Sequence, residues 1–463
     1  MSQTEKANPK RLVIFCDGTW NSLRMPDLTN VARLAKCVQP TGTMLVEGKE
    51  RTVAQVVYYD EGVGVGEDVG KFTNFLVKIF GGALGRGLNA KIEKAYRFIV
   101  LNYDPDDEIH IFGFSRGAYT ARSLCGLIRK AGIMRRSEFE NIGKAIDLYR
   151  SAIAPYHADA QTFRRQYSHP IVAGSEDYTD KDLQDIEAFR KEVKAADEVR
   201  IIPPEIRARG AHIRYLGIWD TVGALGVPKR LHLLSGWFNK GYRFHDEDAS
   251  TLIESLRHAV SLDEKRATFD ATRVNNVTDL NIMWAAAVKD KQVSDRDAPG
   301  YVPYVERPYQ QRWFPGDHGA IGGGNPELGL SSAALLWIAE GAEQVGLALA
   351  EVSGADRGLA INRSPGSELS RALDRAEPGA SWRNDEKGNP IPPGKFSFKS
   401  WVKSLVHGVI DRKGPDTLAE IHESARERWR RDPTYRPSGM HRFKGRPELE
   451  PVDNFDEEDG VND

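Results

Sequence analysis

The sequence predicts an α/β protein, a mostly parallel sheet with helices on both faces. Three observations predict it. Short apolar runs rich in β-branched and aromatic residues alternate with longer helical patterns. The runs are uninterrupted, as strands buried on both faces are. The early ones also end on turn-forming residues. The first run, Leu12-Val13-Ile14-Phe15-Cys16, stops at Asp17-Gly18-Thr19, and the second, Val56-Val57-Tyr58-Tyr59, stops at Asp60 and a glycine-rich loop through Gly70. A helix follows from about Leu88, with Leu88, Ile92, Ala95, Ile99, Val100 and Tyr103 on one face. Next come a strand from Glu108 to Gly113 and a helix from Arg116 to about Ala131, which Gly132 would cap. Later runs at Ile213–Trp219 and around Arg312-Trp313-Phe314 continue the pattern.

At 463 residues the chain admits one large domain with additions or two domains. We divide it into a main α/β domain over 1–352, with insertions at about 135–208 and 226–248, and a C-terminal extension over 353–463. Glu176–Arg200 alternates charges like a solvated helix pair, or an insertion standing off the sheet. The second insertion carries Leu231, Leu233, Leu234, Trp237 and Phe238, which suit either a packed excursion or an apolar lid. In the extension, PGKFSFKSWVKSLVHGVIDR is the best candidate for a packed element, and the acidic EPVDNFDEEDGVND end is expected to be disordered. Arg426–Arg446 is basic with Trp429 and Tyr435, and reads as a solvated helix followed by a loop; contact with a membrane surface is the sharper alternative.

With 64 Lys and Arg against 66 Asp and Glu, the chain lacks the basic excess on which nucleic-acid binding rests. Cys16, Cys37 and Cys125 are too few and scattered for a disulfide framework or zinc site, and are expected to be small buried hydrophobes. No stretch approaches the roughly 18 apolar residues of a spanning helix, and the first residues carry no signal core. These features predict a protein cytoplasmic at synthesis and not exported by the general secretory route.

The strongest local signal is Gly113-Phe114-Ser115-Arg116-Gly117, placed where a strand ends and a helix begins. A nucleophile elbow requires that context, because a sharp turn holds the serine above the sheet and side chains at the flanking glycines would clash. The helix N-terminus beneath it favours a developing oxyanion. The alternative is a tight turn with a capping serine. In this fold class the orienting acid and the base follow later in the chain. Asp220 ends a predicted strand, on the edge where ligands bind, although a turn-starting Asp would look the same. His318 lies in the glycine-dense Trp313–Gly324 segment, from which a ring could swing over a serine; alone it reads equally as a surface histidine. The loops Gly62–Gly66 and Gly81–Gly85 lack dinucleotide-binding spacing, and Asp17 lacks the second aspartate of a phosphotransferase site, so neither a cofactor nor a metal is expected.

Six motifs occur in order: DGTWN at Asp17–Asn21, GALGRGLNAKIEKAY at Gly82–Tyr96, GFSRGAYTAR at Gly113–Arg122, IWDTVGALG at Ile218–Gly226, HAVSLDEKRATF at His258–Phe269 and WFPGDHGAIGGG at Trp313–Gly324. Together they resemble the α/β-hydrolase family of the type VI secretion phospholipase effectors, over about Lys10 to Ala350. The resemblance implies Ser115 as nucleophile, Asp220 as orienting acid and His318 as base. It implies an oxyanion hole from the N–H of Arg116 with that of Gly18 or Thr19, a lipid or small ester substrate, and export by type VI secretion with a secretion or immunity partner of unstated identity. Asp263 is a competing acid, expected instead to brace structure by pairing with an Arg or Lys. A cytoplasmic esterase for small acylated metabolites and a catalytically silent hydrolase-fold interaction protein are the alternative readings.

Overall fold

Each apolar run read from the sequence becomes a strand of one seven-stranded sheet. The computed structural model describes residues 8–18, 27–46, 48–61, 83–171, 184, 210–223, 248–266, 269–288, 291–324, 329–350, 412–432 and 435–450. The main strands are β1 (Arg11–Cys16), β2 (Thr41–Val46), β3 (Lys49–Asp60), β4 (Glu108–Phe114), β7 (Ile213–Trp219), β8 (Leu256–Ser261) and β9 (Tyr309–Phe314). Two-residue strands β5 (Ile133–Met134) and β6 (Ser168–His169) pair separately. The sheet order is β2-β3-β1-β4-β7-β8-β9, and every neighbouring pair is parallel except the β2–β3 hairpin. The expected class, mostly parallel α/β, is the observed one.

Alternate residues of β1 serve opposite faces, as the two-residue strand period requires. Leu12, Ile14 and Cys16 join the core beneath α2 (Ala83–Asn102), α3 (Arg116–Ala131) and α6 (Val277–Ala287). Val13 and Phe15 join the opposite core, beneath α1 (Asn30–Cys37) and α8 (Gly329–Gln344). Helix α3 is buried along nearly its whole length and ends at Gly132, the expected C-cap, whose φ of 76° suits glycine. The three cysteines are free and buried.

Residues 135–171, the described part of the first insertion, hold α4 (Ile142–Arg150) and α5 (Ala158–Tyr167) against α3. Most of Glu176–Arg200, the stretch 226–247, residues 393–411 and 451–463 lie outside the described residues. The C-terminal basic stretch differs from its reading as a solvated helix. Helix α9 (Glu423–Arg431) buries Ala425 and Trp429 in a third core with Val260, Trp313, Ile421, Tyr435, Met440 and Phe443. Trp313 accepts a hydrogen bond from the His422 N–H at 2.9 Å, so this segment covers the β9 edge of the sheet. Arg430 and Arg431 pair with Glu423 and Glu427 on the same helix. Among the described residues no helix is long and apolar enough to cross a membrane.

Candidate active site

The C-terminal tips of β4, β7 and β9 carry Ser115, Asp220 and His318, and these tips share one edge of the sheet. Ser115 follows β4 with φ 58° and ψ −121°. Among the described residues only Asp106, Ser115 and Asp220 combine a side chain with a positive φ, a conformation that surrounding structure must enforce. The enforcement is visible. The Ser115 N–H donates to the Trp219 carbonyl at 3.0 Å, and the Asp220 N–H to that of Ala259 at 2.7 Å. The flanking glycines have the reason the sequence proposed. A Cβ on Gly113 would lie 2.5 Å from the Gly117 carbonyl oxygen, and one on Gly117 would lie 2.0 Å from that of Cys16.

The three side chains form a continuous chain. His318 Nε2 stands 2.8 Å from Ser115 Oγ, and its Nδ1 stands 2.6 Å from Asp220 Oδ2. An ionised carboxylate only accepts, so Nδ1 carries the proton and Nε2 is left to accept from the hydroxyl. Burial opposes ionisation of Asp220, but the Arg412 charge and the His318 hydrogen bond outweigh it and hold the carboxyl far below the usual carboxylate range. All three residues are buried.

His318 is not in an irregular loop, as its glycine-dense surroundings suggested. It opens the one-turn helix α7 (His318–Gly322), whose N-cap Asp317 accepts from the Ala320 N–H at 2.9 Å. The imidazole lies between Phe114 and Phe269, with ring centroids 4.7 and 4.8 Å away. Its backbone N–H donates to buried Glu264 at 3.3 Å, and Glu264 pairs with Arg266. The imidazole is therefore held by aromatic contacts as well as by its own two hydrogen bonds.

Arg116 is the first residue of α3, so its backbone N–H has no intrahelical acceptor. The Gly18 N–H instead donates to Asp17 Oδ1 at 2.6 Å, and Thr19 lies outside the described residues. Asp17 Oδ2 accepts from Thr29 Oγ1 at 2.7 Å and Tyr59 Oη at 2.5 Å. Burial pushes the Asp17 carboxyl up to about 6, against the pull of those three donors. Asp263 is not in the chain. Its Oδ2 accepts from the Gly316 N–H at 2.6 Å, and Tyr435 Oη lies 3.2 Å from both its oxygens.

Arg412 is the residue that sequence reasoning missed. Its guanidinium donates to both oxygens of Asp220, at 2.6 and 2.9 Å. A single arginine in HGVIDRKG belongs to no motif and gave no signal.

Residues 10–341 match the family model described as T6SS, Phospholipase effector Tle1-like, catalytic domain. An uncharacterised protein of Saccharomyces cerevisiae, YEL023C, is 26% identical over 278 residues, covering 58% of this chain and 33% of its own. Two solved structures are also similar. An uncharacterised protein from Pseudomonas aeruginosa is 16% identical with a TM-score of 0.33, over 76% of this chain and 47% of that one. The Tle1 effector bound to the VgrG spike of the Type 6 secretion system is 17% identical with a TM-score of 0.28, over 69% and 52%. The chain thus spans about a third of the length of the yeast relative and about half of each solved chain. Because the family match runs over more than two thirds of the sequence, through every strand of the sheet and all three residues of the hydrogen-bonded chain, this protein belongs to the Tle1-like family of type VI secretion phospholipase effectors, in its catalytic domain.

Proposed function

We propose that the protein is a serine ester hydrolase acting on carboxylic esters of lipids, phospholipids foremost, through Ser115, His318 and Asp220. One observation carries the reading: a hydroxyl, an imidazole and an ionised carboxylate in hydrogen-bonded series at the ligand-binding edge of a parallel sheet. His318 Nε2 takes the Ser115 proton as Oγ attacks the ester carbonyl. The oxyanion that forms lies at the N-terminus of α3, where the Arg116 N–H and the helix dipole oppose its charge. Collapse of the tetrahedral intermediate expels the alcohol, which receives the proton from His318, and leaves an acyl group on Ser115. Water, deprotonated by the same imidazole, then releases the acid. Asp220 keeps the proton on Nδ1 throughout and stabilises the imidazolium. The second oxyanion donor is Gly18 or Thr19. For Gly18 this requires its N–H to leave Asp17, so substrate binding would rearrange that loop.

Family membership supports a lipid substrate and delivery by a type VI secretion machinery. The test begins with a fluorophosphonate probe and mapping of the modified residue by mass spectrometry. Labelling at Ser115 that vanishes in His318→Ala is expected. Fatty acid release from phospholipid vesicles, lost in Ser115→Ala, is expected next. Turnover of small soluble esters without vesicle hydrolysis would make the protein a small-metabolite esterase. An unlabelled Ser115 would replace catalysis with a binding role for the fold.

A further inference from the structure

We propose that Arg412 is a positioning residue for the triad, fixing the Asp220 carboxylate in the orientation that directs His318; the proposal rests on the hydrolase reading above. A carboxylate presents about four lone-pair directions. Asp220 has all four occupied. Oδ1 accepts from the Ser261 N–H at 2.9 Å and from Arg412 Nη1 at 2.6 Å, while Oδ2 accepts from His318 Nδ1 at 2.6 Å and Arg412 Nη2 at 2.9 Å. Rotation of the carboxylate would break two or more of these bonds together. The planar fork of arginine matches both oxygens at once, which lysine cannot do.

The same guanidinium reaches beyond Asp220. Nη1 also donates to the Ser261 carbonyl at 3.0 Å, and Nη2 to that of Phe269, whose ring packs on His318. One side chain therefore ties the tips of β7 and β8 to the wall of the imidazole. Asp220 is fully buried, and a buried charge that loses its partner is strongly penalised. Arg412 is buried as well. It lies well beyond residue 341, where the family match ends, at the head of the segment that covers β9. The C-terminal segment thus completes the site.

Arg412 also places a positive charge beside the Asp220–His318 pair. The other charged groups around the pair are Glu264 with Arg266, Asp317 at the cap of α7, and Asp263 with Arg428; His258 behind Asp220 is neutral. The experiment measures the second-order rate of fluorophosphonate labelling at Ser115 across pH, in the full chain, for wild type, Arg412→Gln, Arg412→Ala and Arg412→Lys. Circular dichroism confirms that each is folded. In Arg412→Gln the rate should fall about a hundredfold, the loss that small misplacements of catalytic groups cause. Its acid limb should move to higher pH as that positive charge disappears. Arg412→Lys should keep the limb where it is in wild type yet remain slow, and methylguanidinium should restore part of the rate to Arg412→Ala. Folded variants with wild-type rates and an unmoved limb would overturn the proposal. So would slow variants whose limb does not move and which methylguanidinium does not rescue, since a purely structural arginine behaves that way. Absence of labelling in wild type would remove the hydrolase reading itself, a result distinct from either.

Discussion

Asp263 and Gly316 are joined by a reciprocal pair of hydrogen bonds: the Gly316 N–H donates to Asp263 Oδ2 at 2.6 Å, and the Asp263 N–H to the Gly316 carbonyl at 3.1 Å. This clamp fixes the turn after β9 two residues before His318, and Tyr435 and Arg428 hold it from the C-terminal segment. Asp263 thus acts on the histidine through the backbone, whereas Asp220 touches the ring. Asp220→Asn should lower kcat/KM by about 10⁴-fold, because an amide can hold the wrong imidazole tautomer. Asp263→Asn should stay within about tenfold of wild type and lose stability instead, since the amide keeps one acceptor for Gly316. The reverse ranking in steady-state kinetics would transfer the acid role to Asp263.

The elbow makes a sharp prediction about glycine. Gly117→Ala forces a methyl group to within 2.0 Å of the Cys16 carbonyl oxygen, where only backbone movement of β1 could relieve it. The variant should be destabilised by about 3 kcal/mol or more. Gly143 offers the contrast, because it lies exposed on α4 with open space where its Cβ would go. Gly143→Ala should stabilise by about 0.5 to 1 kcal/mol through helix propensity alone. Urea denaturation of both variants decides it, and equal midpoints would mean that the elbow tolerates a side chain.

These relationships differ in how far the sequence reveals them. The strands that seed the sheet announce themselves because they are buried on both faces and therefore apolar throughout, as Leu12–Cys16 and Ile213–Trp219 are. Strand β8 hides because Arg257 and His258 interrupt it. Both are buried and satisfied only by distant partners: Arg257 by Trp337 and Gln344, His258 by Gln311 and Thr221. Strand β2 hides because it is a largely exposed edge, with Leu45 in solvent. At the site, Ser115 is legible from its strand-turn-helix setting. Asp220 and His318 are suggested by position and gain the roles proposed for them chiefly from the resemblance, since a lone acid and a lone histidine carry no periodicity. Arg412 lies 192 positions from Asp220, and no local rule connects them.

His258 should make the fold sensitive to acid. It is fully buried in β8, with Nδ1 2.9 Å from Gln311 Oε1 and Nε2 accepting from the Thr221 N–H at 3.3 Å. Burial, reinforced by the Arg122 charge, holds its pKa down to about 3. The unfolded chain protonates the ring near 6.5 and the folded chain resists, so stability declines as pH falls through 6.5 and goes on declining to about 3. At pH 4 the loss from this residue is about 3 kcal/mol. Urea midpoints from pH 7 to pH 4 should fall steeply in wild type and less steeply in His258→Gln. Parallel slopes would show that the acid sensitivity arises elsewhere.

The C-terminal segment should unfold locally before the sheet does. Its apolar attachment to β8 and β9 is one small core, in which Trp429 is buried with Ile421 and Met440. Arg436 stacks 4.5 Å over the same indole and donates to the Trp429 carbonyl at 2.9 Å. Trp429→Ala removes one of the two tryptophans of that core, a change that costs about 3 to 5 kcal/mol in a well-packed site. The two larger cores share none of these residues, so the cost should fall on residues 412–450 alone. Hydrogen exchange should rise across that segment while the amides of β1 and β4 stay protected. Fluorophosphonate labelling of Ser115 should slow with it, because Arg412 is carried at the head of the loosened segment. Exchange that rises equally through β1 and β4 would mean that the C-terminal segment and the sheet unfold as one unit, and Arg412 could not then be released separately from the edge that carries Asp220.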